Sequence, residues 1–459
     1  MNARMIRSMT TCAFVISSVL FWPAQSAADE SDQRGKFRVG HTRIEVILTG
    51  SVGERRPIDV EIWYPANTKG FNAAPVTVYR SRLFGVPLIP ARWDPLSWQI
   101  TSGVAKENVQ IRARGRAFPV VIFSHGAGSS PLDYIPTLEH LASHGYVVAA
   151  PWHTCNNQDD TRTNFINNQA GFRVFPCLDG RPTPCMGQTP QAIGANRIRD
   201  LGAIADTLPS LFGTRVNVER IGVMGHSAGS LTAVLAAGGS TSWGIPPDPR
   251  VDSILGLAMI SDDIIDQVDL AKVTVPALLI AAEFDANTPP ARSVRVYNGV
   301  SSTEKAYVLL SNAVHRSFSS SFCSQMQAAG AIAQSDPTRA ILDRHTLTNV
   351  LVSTPENGST LDYCADDYFT HPVDIRPIVS SMTGFNVTES NVPRLGVASD
   401  EVNRLVSELA VAFFDSTLHV RCKQYLGAKF MRKYERFIEF ADRQPSSKTC
   451  HDDRERDDD

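Results

Sequence analysis

The sequence predicts an α/β fold: a mostly parallel central sheet with helices on both faces and long loop insertions. Continuous apolar runs recur along the chain, as in strands that are buried on both faces. Helix-forming stretches alternate with these runs, which is the order of a parallel sheet joined by helical crossovers. Two strands also end in short loops of small residues, at Ser124–Ser130 and Gly225–Gly229, where such sheets gather their ligands.

Composition and charge describe an ordinary globular protein. Of the 459 residues, 43% are hydrophobic and 20% are charged, enough apolar material for a full core. The formal net charge is -3, and no domain-sized basic patch is present. We therefore expect neither a nucleic-acid nor an anionic-membrane partner.

The N-terminus has the pattern of an export signal. Arg4 and Arg7 precede an apolar run, Cys12–Trp22, and small residues follow up to Ala28. The apolar run is too short for a permanent membrane span. The sequence thus predicts a signal peptide over residues 1–28 and a secreted or periplasmic mature protein.

Export makes disulfide bonds the expected state of the cysteines. Of the eight cysteines, Cys12 belongs to the predicted signal peptide and seven remain. Local pairing predicts Cys177–Cys185, Cys323–Cys364 and Cys422–Cys450, with Cys155 left over, although spacing alone does not determine connectivity. No C-x-x-C or H-E-x-x-H motif is present, so no metal site is expected.

The chain after the signal is predicted to form one domain, residues 29–420, followed by a C-terminal tail, 421–459. Insertions are expected at about 155–192 and 319–395, and residues 67–117 receive no assigned element. The expected strands are 43–48 and 58–64, antiparallel and at a sheet edge, then 118–123, 146–150, 220–224, 254–260, 275–282 and 306–310. The expected helices are 134–144, 197–212, the run after Gly229, and 401–414.

The segment Gly225-His226-Ser227-Ala228-Gly229 lies between a β-rich run and an Ala- and Leu-rich helix. A G-x-S-x-G in this context is a nucleophile elbow, a turn tight enough to expose the serine hydroxyl. The bare pentapeptide also arises by chance, but the flanking strand and helix favour a nucleophilic Ser227.

A serine nucleophile needs a base, and five histidines follow Ser227 in the sequence. His315 lies in a short loop directly after a predicted strand, so it is the expected base. The others lie in the second insertion, at the end of the last helix or in the tail: His345, His371, His419 and His451.

The acid that orients this base should follow an intervening strand. Asp285 follows the strand that should neighbour the one before His315. Asp262 and Asp263, one strand earlier, are the competing candidates. All three also have an ordinary interpretation as loop caps or surface charges.

An oxyanion hole requires two backbone amides, one after the nucleophile and one from the loop after an early strand. The expected donors are the amides of Ala228 and Ala127. His125 and His226 are expected to shape these two loops. His153, at the end of a strand, either faces substrate or caps the strand.

Two stretches carry a family resemblance. Residues 118–151, FPVVIFSHGAGSSPLDYIPTLEHLASHGYVVAAP, together with Gly225–Gly229, resemble the α/β-hydrolase esterases. Within them the chain is most similar to the platelet-activating-factor acetylhydrolase, cutinase-like and polyester-hydrolase group. The resemblance extends over residues 37–318 and 401–418 and excludes both insertions.

The resemblance also bears on the acid and on the activity. PALLIAAEFDANTP at 276–289 and NAVH at 312–315 resemble the acid and histidine loops of the cutinase-like members. The animal acetylhydrolases place their acid one strand earlier, where this chain has Ile260, and this difference favours Asp285. Membership implies an α/β-hydrolase fold and ester hydrolysis through an acyl-enzyme, with no cofactor.

The sequence therefore predicts a secreted serine carboxylester hydrolase with the triad Ser227, His315 and Asp285. Its partner would be an ester substrate, whether a small molecule, a lipid or a polymer. A serine peptidase or amidase is the alternative within enzymes, because the same triad cleaves amides. A non-catalytic binding protein of the same fold is the alternative from another class.

Overall fold

Among the residues that the structure describes, eleven strands form one sheet at the centre of the protein, which is a computed structural model. The structure describes residues 34–49, 55–80, 99–157, 160, 189–260, 262–283, 285, 287–311, 313, 315–320, 399–419 and 425–443. The predicted signal peptide, most of both insertions and the charged end of the tail lie outside these residues. The described elements belong to one compact unit.

The strands, in chain order, are β1 (Val39–Thr49), β2 (Arg55–Pro65), β3 (Val76–Arg80), β4 (Gln99–Glu107), β5 (Phe118–Ser124), β6 (Val147–Pro151), β7 (Val216–His226), β8 (Val251–Leu257), β9 (Ala277–Ala282), β10 (Lys305–Leu310) and β11 (Ile438–Arg443). The helices are α1 (Ile135–Ser143), α2 (Pro190–Phe212), α3 (Ala228–Gly238), α4 (Asp262–Ile265), α5 (Pro290–Gly299), α6 (Ser399–Thr417) and α7 (Ala428–Lys433). Every predicted strand and helix that falls on described residues has a counterpart here.

The centre of the sheet is parallel, in the order β6-β5-β7-β8-β9-β10. Its strands are the continuous apolar runs of the sequence, and in β5, β6 and β9 every residue is buried. Such runs need cover on both faces of the sheet, which excludes a half-exposed antiparallel arrangement. The predicted α/β fold class is confirmed.

The first two strands do not form the edge of the sheet. β1 and β2 pair antiparallel, as expected, and β2 joins them to β6. However, β4 pairs with β1, and β3 pairs with β4 to form the edge. The prediction of an edge position was wrong because β3 and β4 come from residues 67–117, where no element was assigned.

The opposite edge is formed by β11, which pairs antiparallel with β10. This strand comes from residues 421–459, which the sequence analysis described only as a tail. Its pattern of partly buried and exposed positions, with Phe440 52% exposed, is that of an edge strand with little core contact.

Helices cover both faces of the sheet. On one face, α1 and α6 pack over side chains such as Trp63, Val121 and Phe123. On the other face, α2, α3 and α5 pack over Val120, Ile122 and Val223. Alternate residues of β5 thus enter opposite cores, as the two-residue period of a strand requires.

The order in which strands are added to the sheet changes direction at β5, because β6 lies on one side of β5 and β7 lies on the other. Ligands of open α/β sheets bind beyond the carboxyl ends of the strands at such a point. The loops that follow β5, β7, β9 and β10 contain all of the predicted site residues, so the topology brings them to this end of the sheet.

Cys155, which we expected to be the unpaired cysteine, is disulfide-bonded. That part of the prediction is wrong. The cysteines of the three predicted pairs all lie outside the described residues. Because a disulfide of Cys155 within the mature chain uses one of those six cysteines, the three pairs cannot all form together, and each single pairing stays a prediction.

Candidate active site

Ser227 lies at a sharp turn between β7 and α3. Its backbone adopts φ 54° and ψ -117°, a conformation that costs free energy for a residue with a side chain. A Cβ at Gly225 would overlap the carbonyl of Gly229, and a Cβ at Gly229 would overlap the carbonyl of Ser124. Gly225 is therefore required for the turn to be this tight, and Gly229 for the turn to pass this close to β5.

Hydrogen bonds fix the backbone of the elbow and leave Ser227 partly accessible. The Ser227 amide donates to the carbonyl of Leu257 at the end of β8, 2.9 Å away. The Ser227 carbonyl accepts from the amide and the hydroxyl of Ser230. Ser227 remains partly exposed, although most of its neighbours in the sequence are buried. Strain held by surrounding contacts at an accessible serine is typical of an activated nucleophile.

His315 and Asp285 form a buried hydrogen-bonded pair. His315 Nδ1 lies 2.7 Å from Asp285 Oδ2, and the two residues are 6% and 3% exposed. The Thr288 amide donates to Asp285 Oδ1 at 2.7 Å, and its hydroxyl donates to Oδ2 at 2.6 Å. The carboxylate thus accepts several hydrogen bonds, which stabilise its charged form.

This pairing determines the tautomer of His315. An ionised carboxylate can only accept, so Nδ1 of His315 carries the hydrogen. Nε2 of the neutral ring is then a free acceptor for a proton. The arrangement is that of a general base oriented by an acid.

His226 joins the elbow to the histidine loop. Its Nε2 lies 3.0 Å from the main-chain oxygen of His315, to which it donates. Its Nδ1 accepts from the Tyr134 hydroxyl at 2.7 Å. Burial lowers the pKa of His226 well below its ordinary value, and the positive charge of nearby Arg316, or of His315 when it is protonated, lowers it further. The ring is therefore neutral, with its hydrogen on Nε2.

The loop after β5 faces the elbow. A Cβ at Gly126 would lie 3.5 Å from the Ser227 Cβ, so this backbone runs directly beside Ser227. Ala127 follows and is exposed. On the other side, Ala228 begins α3, so its amide has no acceptor within the helix. Both amides belong to backbone that borders Ser227.

Among the remaining histidine and acid candidates, His419 is the one whose side chain the structure describes, and it does not join this group. His419 packs against the Tyr146 ring, 5.0 Å between centroids. The side chains of Asp262 and Asp263 lie outside what the structure describes. The other three histidine candidates, His345, His371 and His451, also lie outside the described residues.

Two family models match the chain. The model described as PET hydrolase-like matches residues 182–334, a range that contains Ser227, Asp285 and His315. The model described as platelet-activating factor acetylhydrolase, isoform II, matches residues 98–172, which contain Ala127. Together with the sheet and the elbow, these matches identify the fold. This chain has the α/β-hydrolase fold. The predicted resemblance to the esterases of this fold is confirmed.

Chlorophyllase-1 proteins are also similar to part of this chain. The chloroplastic enzymes of Citrus unshiu and Citrus sinensis are each 30% identical over 116 residues, which is 25% of this chain and 27% of theirs. The chain thus spans about a quarter of the length of the curated relatives that it matches. A solved ferulic acid esterase from Streptomyces cinnamoneus aligns with a TM-score of 0.46 and 19% identity, covering 84% of this chain and 92% of that one.

A buried polar cluster lies behind the loop after β5, and no sequence pattern predicted it. His153 belongs to it and is 1% exposed, which excludes the substrate-facing role that the sequence left open. The cluster also contains Arg197 and Asp200, three residues apart and thus on one face of α2. Two charged residues on the buried side of a helix were the signal that could have revealed it.

No helix among the described residues has the length and apolar character needed to cross a membrane.

Proposed function

We propose that this chain is an exported serine carboxylester hydrolase that works through an acyl-enzyme. Ser227 is the nucleophile, His315 the general base and Asp285 the residue that orients it. The hydrogen bond between Asp285 and His315, at 2.7 Å beside the strained elbow, carries the proposal. His226, the residue before Ser227, contacts the main-chain oxygen of His315, so the base and the elbow belong to one site. The role we assign to the base there is to accept the proton of the Ser227 hydroxyl.

The first half of the reaction forms the acyl-enzyme. His315 Nε2 takes the proton of the Ser227 hydroxyl as the oxygen attacks the ester carbonyl. The amides of Ala127 and Ala228 stabilise the negative charge that develops on the carbonyl oxygen. The intermediate then collapses, and His315 returns the proton to the departing alcohol.

The second half repeats these roles with water. His315 removes a proton from a water molecule, which attacks the acyl carbonyl, and the same amides stabilise the second oxyanion. Collapse releases the acid and returns the proton to Ser227. Asp285 stays ionised throughout and stabilises the imidazolium form of His315. Every step uses groups of this chain and water, so the proposal requires no cofactor.

An ester is favoured over an amide as the substrate. The same triad can cleave either bond, so the geometry of Ser227 and His315 does not separate them. The similarity to esterases of this fold supports the ester. Whether that ester is a small molecule, a lipid or a polymer depends on the acyl pocket, to which the two insertions are expected to contribute.

Export rests on the N-terminal pattern, in which Arg4 and Arg7 precede Cys12–Trp22 and the small residues up to Ala28. We propose a secreted or periplasmic protein that begins near residue 29. N-terminal sequencing of the protein recovered from the medium or periplasm tests this. A mature N-terminus still at Met1 would refute it.

Hydrolysis of short-chain p-nitrophenyl esters tests the activity itself. We expect turnover that a fluorophosphonate abolishes, with the label found on Ser227 by peptide mapping. Ser227→Ala should remove nearly all turnover while the thermal midpoint stays near that of the parent, because the triad acts as a unit. Ser242→Ala, at an exposed serine, is the control. Turnover of Ser227→Ala within tenfold of the parent would contradict the mechanism.

A further inference from the structure

A second Ser–His–Asp arrangement lies inside the protein. The Ser124 hydroxyl is 2.9 Å from His153 Nε2, and His153 Nδ1 is 2.7 Å from Asp200 Oδ2. These are the contacts of a catalytic triad, but the three residues are only 0%, 1% and 0% exposed. A substrate cannot reach Ser124, so the arrangement must serve a different purpose.

The protons of this cluster can be assigned from its donors. Arg197 Nη1 donates to the Ser124 hydroxyl at 2.8 Å, and a guanidinium can only donate. Ser124 must then use its own hydrogen for His153 Nε2, and His153 Nδ1–H donates to Asp200. Burial and the nearby charges of Arg197 and Arg56 lower the pKa of His153 well below its ordinary value. The ring is therefore neutral, as this assignment requires.

Arg197 is the centre of the cluster. Besides Ser124, its Nη1 donates to the main-chain oxygen of His125 at 2.8 Å. Its Nε donates to the Asn156 side-chain oxygen at 3.1 Å, and Nη2 donates to the same oxygen. Burial lowers the pKa of Arg197 to about 9, so the guanidinium is still charged at neutral pH.

These contacts bracket Ala127 on both sides. Upstream of it, Arg197 holds the His125 carbonyl directly. Downstream, the Gly128 amide donates to the main-chain oxygen of Asn156 at 3.0 Å, and Arg197 holds the side chain of that asparagine. The guanidinium fork thus ties the loop after β5 to the loop after β6, with the Ala127 amide between the two attachment points.

We infer that Arg197 is a positioning residue for ester hydrolysis, which holds the Ala127 amide where the oxyanion forms. The inference rests on the proposed function, since it assigns a role within that reaction. An oxyanion-hole donor is effective only when it is already aimed at the developing charge. An arginine suits this task because its planar fork makes several hydrogen bonds in fixed directions, whereas a lysine is a point charge.

The test compares Arg197→Met with Arg199→Met. Arg199 lies on the same helix but is exposed, so its variant removes the same charge without touching the loop. We expect kcat for a p-nitrophenyl ester to fall by about 100-fold in Arg197→Met, the effect typical of a lost oxyanion-hole donor, with KM within threefold. Arg199→Met should keep the parent values. Assays well below each variant's thermal midpoint keep unfolding out of the comparison.

A thionoester of the same acid separates positioning from general stability. Sulfur is a weaker hydrogen-bond acceptor than oxygen, so a working oxyanion hole favours the oxygen ester. We expect the ratio of oxygen-ester to thionoester rates to fall in Arg197→Met and to be unchanged in Arg199→Met. A loss of kcat with an unchanged ratio, or a loss no larger than in Arg199→Met, overturns the inference.

Two further variants complete the test. Arg197→Lys keeps the charge but loses the planar guanidinium group, so kcat and the ratio of oxygen-ester to thionoester rates should both fall. Parent values for the lysine variant would overturn the inference.

If Arg197→Met does not fold, Asn156→Ala replaces it in the test. Asn156 is only partly buried, and removal of its side chain should lower the ratio of oxygen-ester to thionoester rates. An unchanged ratio in Asn156→Ala would then overturn the inference. A failure of the proposed function is distinct, since it would appear as full activity in Ser227→Ala.

Discussion

His315 Nδ1 lies 2.7 Å from Asp285 Oδ2, and the Thr288 hydroxyl is within hydrogen-bond distance of both, 3.1 Å and 2.6 Å away. The pairing of β9 with β10 in the sheet brings these two residues together. Ala282 at the end of β9 and Leu310 at the end of β10 are partners in register, and the two loops leave the sheet from these points. The packing of two parallel strands therefore sets the distance between acid and base, and Thr288 restrains it further.

Asp285→Asn tests the orienting role of this carboxylate. The asparagine amide can donate to His315 Nδ1, which would move the ring hydrogen to Nε2 and remove the acceptor for the Ser227 proton. We expect kcat to fall by a factor on the order of 10³ to 10⁴, with little change in the thermal midpoint.

Thr288→Val is the matched control for that variant. It removes one hydrogen bond to the carboxylate but leaves the acid itself, so we expect kcat to fall by less than about tenfold. Steady-state kinetics on a p-nitrophenyl ester measures both. If Asp262→Asn or Asp263→Asn abolishes turnover while Asp285→Asn remains active, the acid has been assigned to the wrong strand.

His226 should matter to turnover through the hydrogen bond from Nε2 to the carbonyl of His315. Tyr134→Phe removes the donor to the other nitrogen and leaves that bond in place, so we expect it to lower stability by about 1–3 kcal/mol and kcat by less than threefold. His226→Leu removes both bonds and loosens the histidine loop. We expect kcat to fall by roughly 100-fold, as for a small misplacement of a catalytic group. Equal kcat losses in the two variants would show that the carbonyl contact is unimportant.

The parts of the fold that the sequence predicted are those with one dominant physical cause. The strands β5 and β9 are buried along their whole length, so their side chains had to be continuously apolar. The elbow has steric requirements that only glycine meets at Gly225 and Gly229, and these requirements leave a readable motif.

The strands β3 and β11 and the cluster around Arg197 were not predicted, because they leave no comparable pattern in the sequence. β3 alternates exposed and buried residues over only five positions, and β11 contains three charged residues in six, so neither differs clearly from a loop. The cluster around Arg197 joins residues from β5, the loop after β6 and α2. Its contacts depend on the three-dimensional packing of these elements, which no local pattern reports.

Gly229→Ala tests how tightly the elbow is packed. The new methyl group would overlap the carbonyl of Ser124, so β5 and α3 would have to move apart. We expect loss of soluble folded protein or a thermal midpoint lowered by several degrees, since a strain of 1–3 kcal/mol shifts the midpoint by roughly 2–4 °C per kcal/mol in a large domain. Gly103→Ala is the control, because a Cβ there meets no atom within 4 Å. A stable, fully active Gly229→Ala would refute the close approach.

The free energy of unfolding should decrease as the pH falls below the pKa of histidine in the unfolded chain. Burial is the first cause that lowers the pKa of His125, His153 and His226 well below the ordinary value in the folded protein. The unfolded chain takes up protons at these three positions once the pH falls below about 6.5, while the folded chain does not. Protons bound only by the unfolded state favour unfolding, so the stability present above pH 6.5 is lost progressively on acidification.

The expected size of this loss follows from the number of histidines. Each one contributes up to about 1.4 kcal/mol per pH unit, so the three together give a slope of up to about 4 kcal/mol per unit. The free energy of unfolding by urea, measured from pH 7.5 to 5.0, checks this. Carboxylates of the unfolded chain titrate near pH 4, below this range. Burial raises the pKa of Asp200 in the folded protein, and protonation of this carboxyl would offset part of the slope. His226→Gln cannot take up a proton at this position, so its slope should be smaller by about a third. A free energy of unfolding that is flat between pH 7.5 and 5.5 would mean that these histidines are not held neutral by the fold, and would remove the proton assignment on which the roles of His226 and His153 depend.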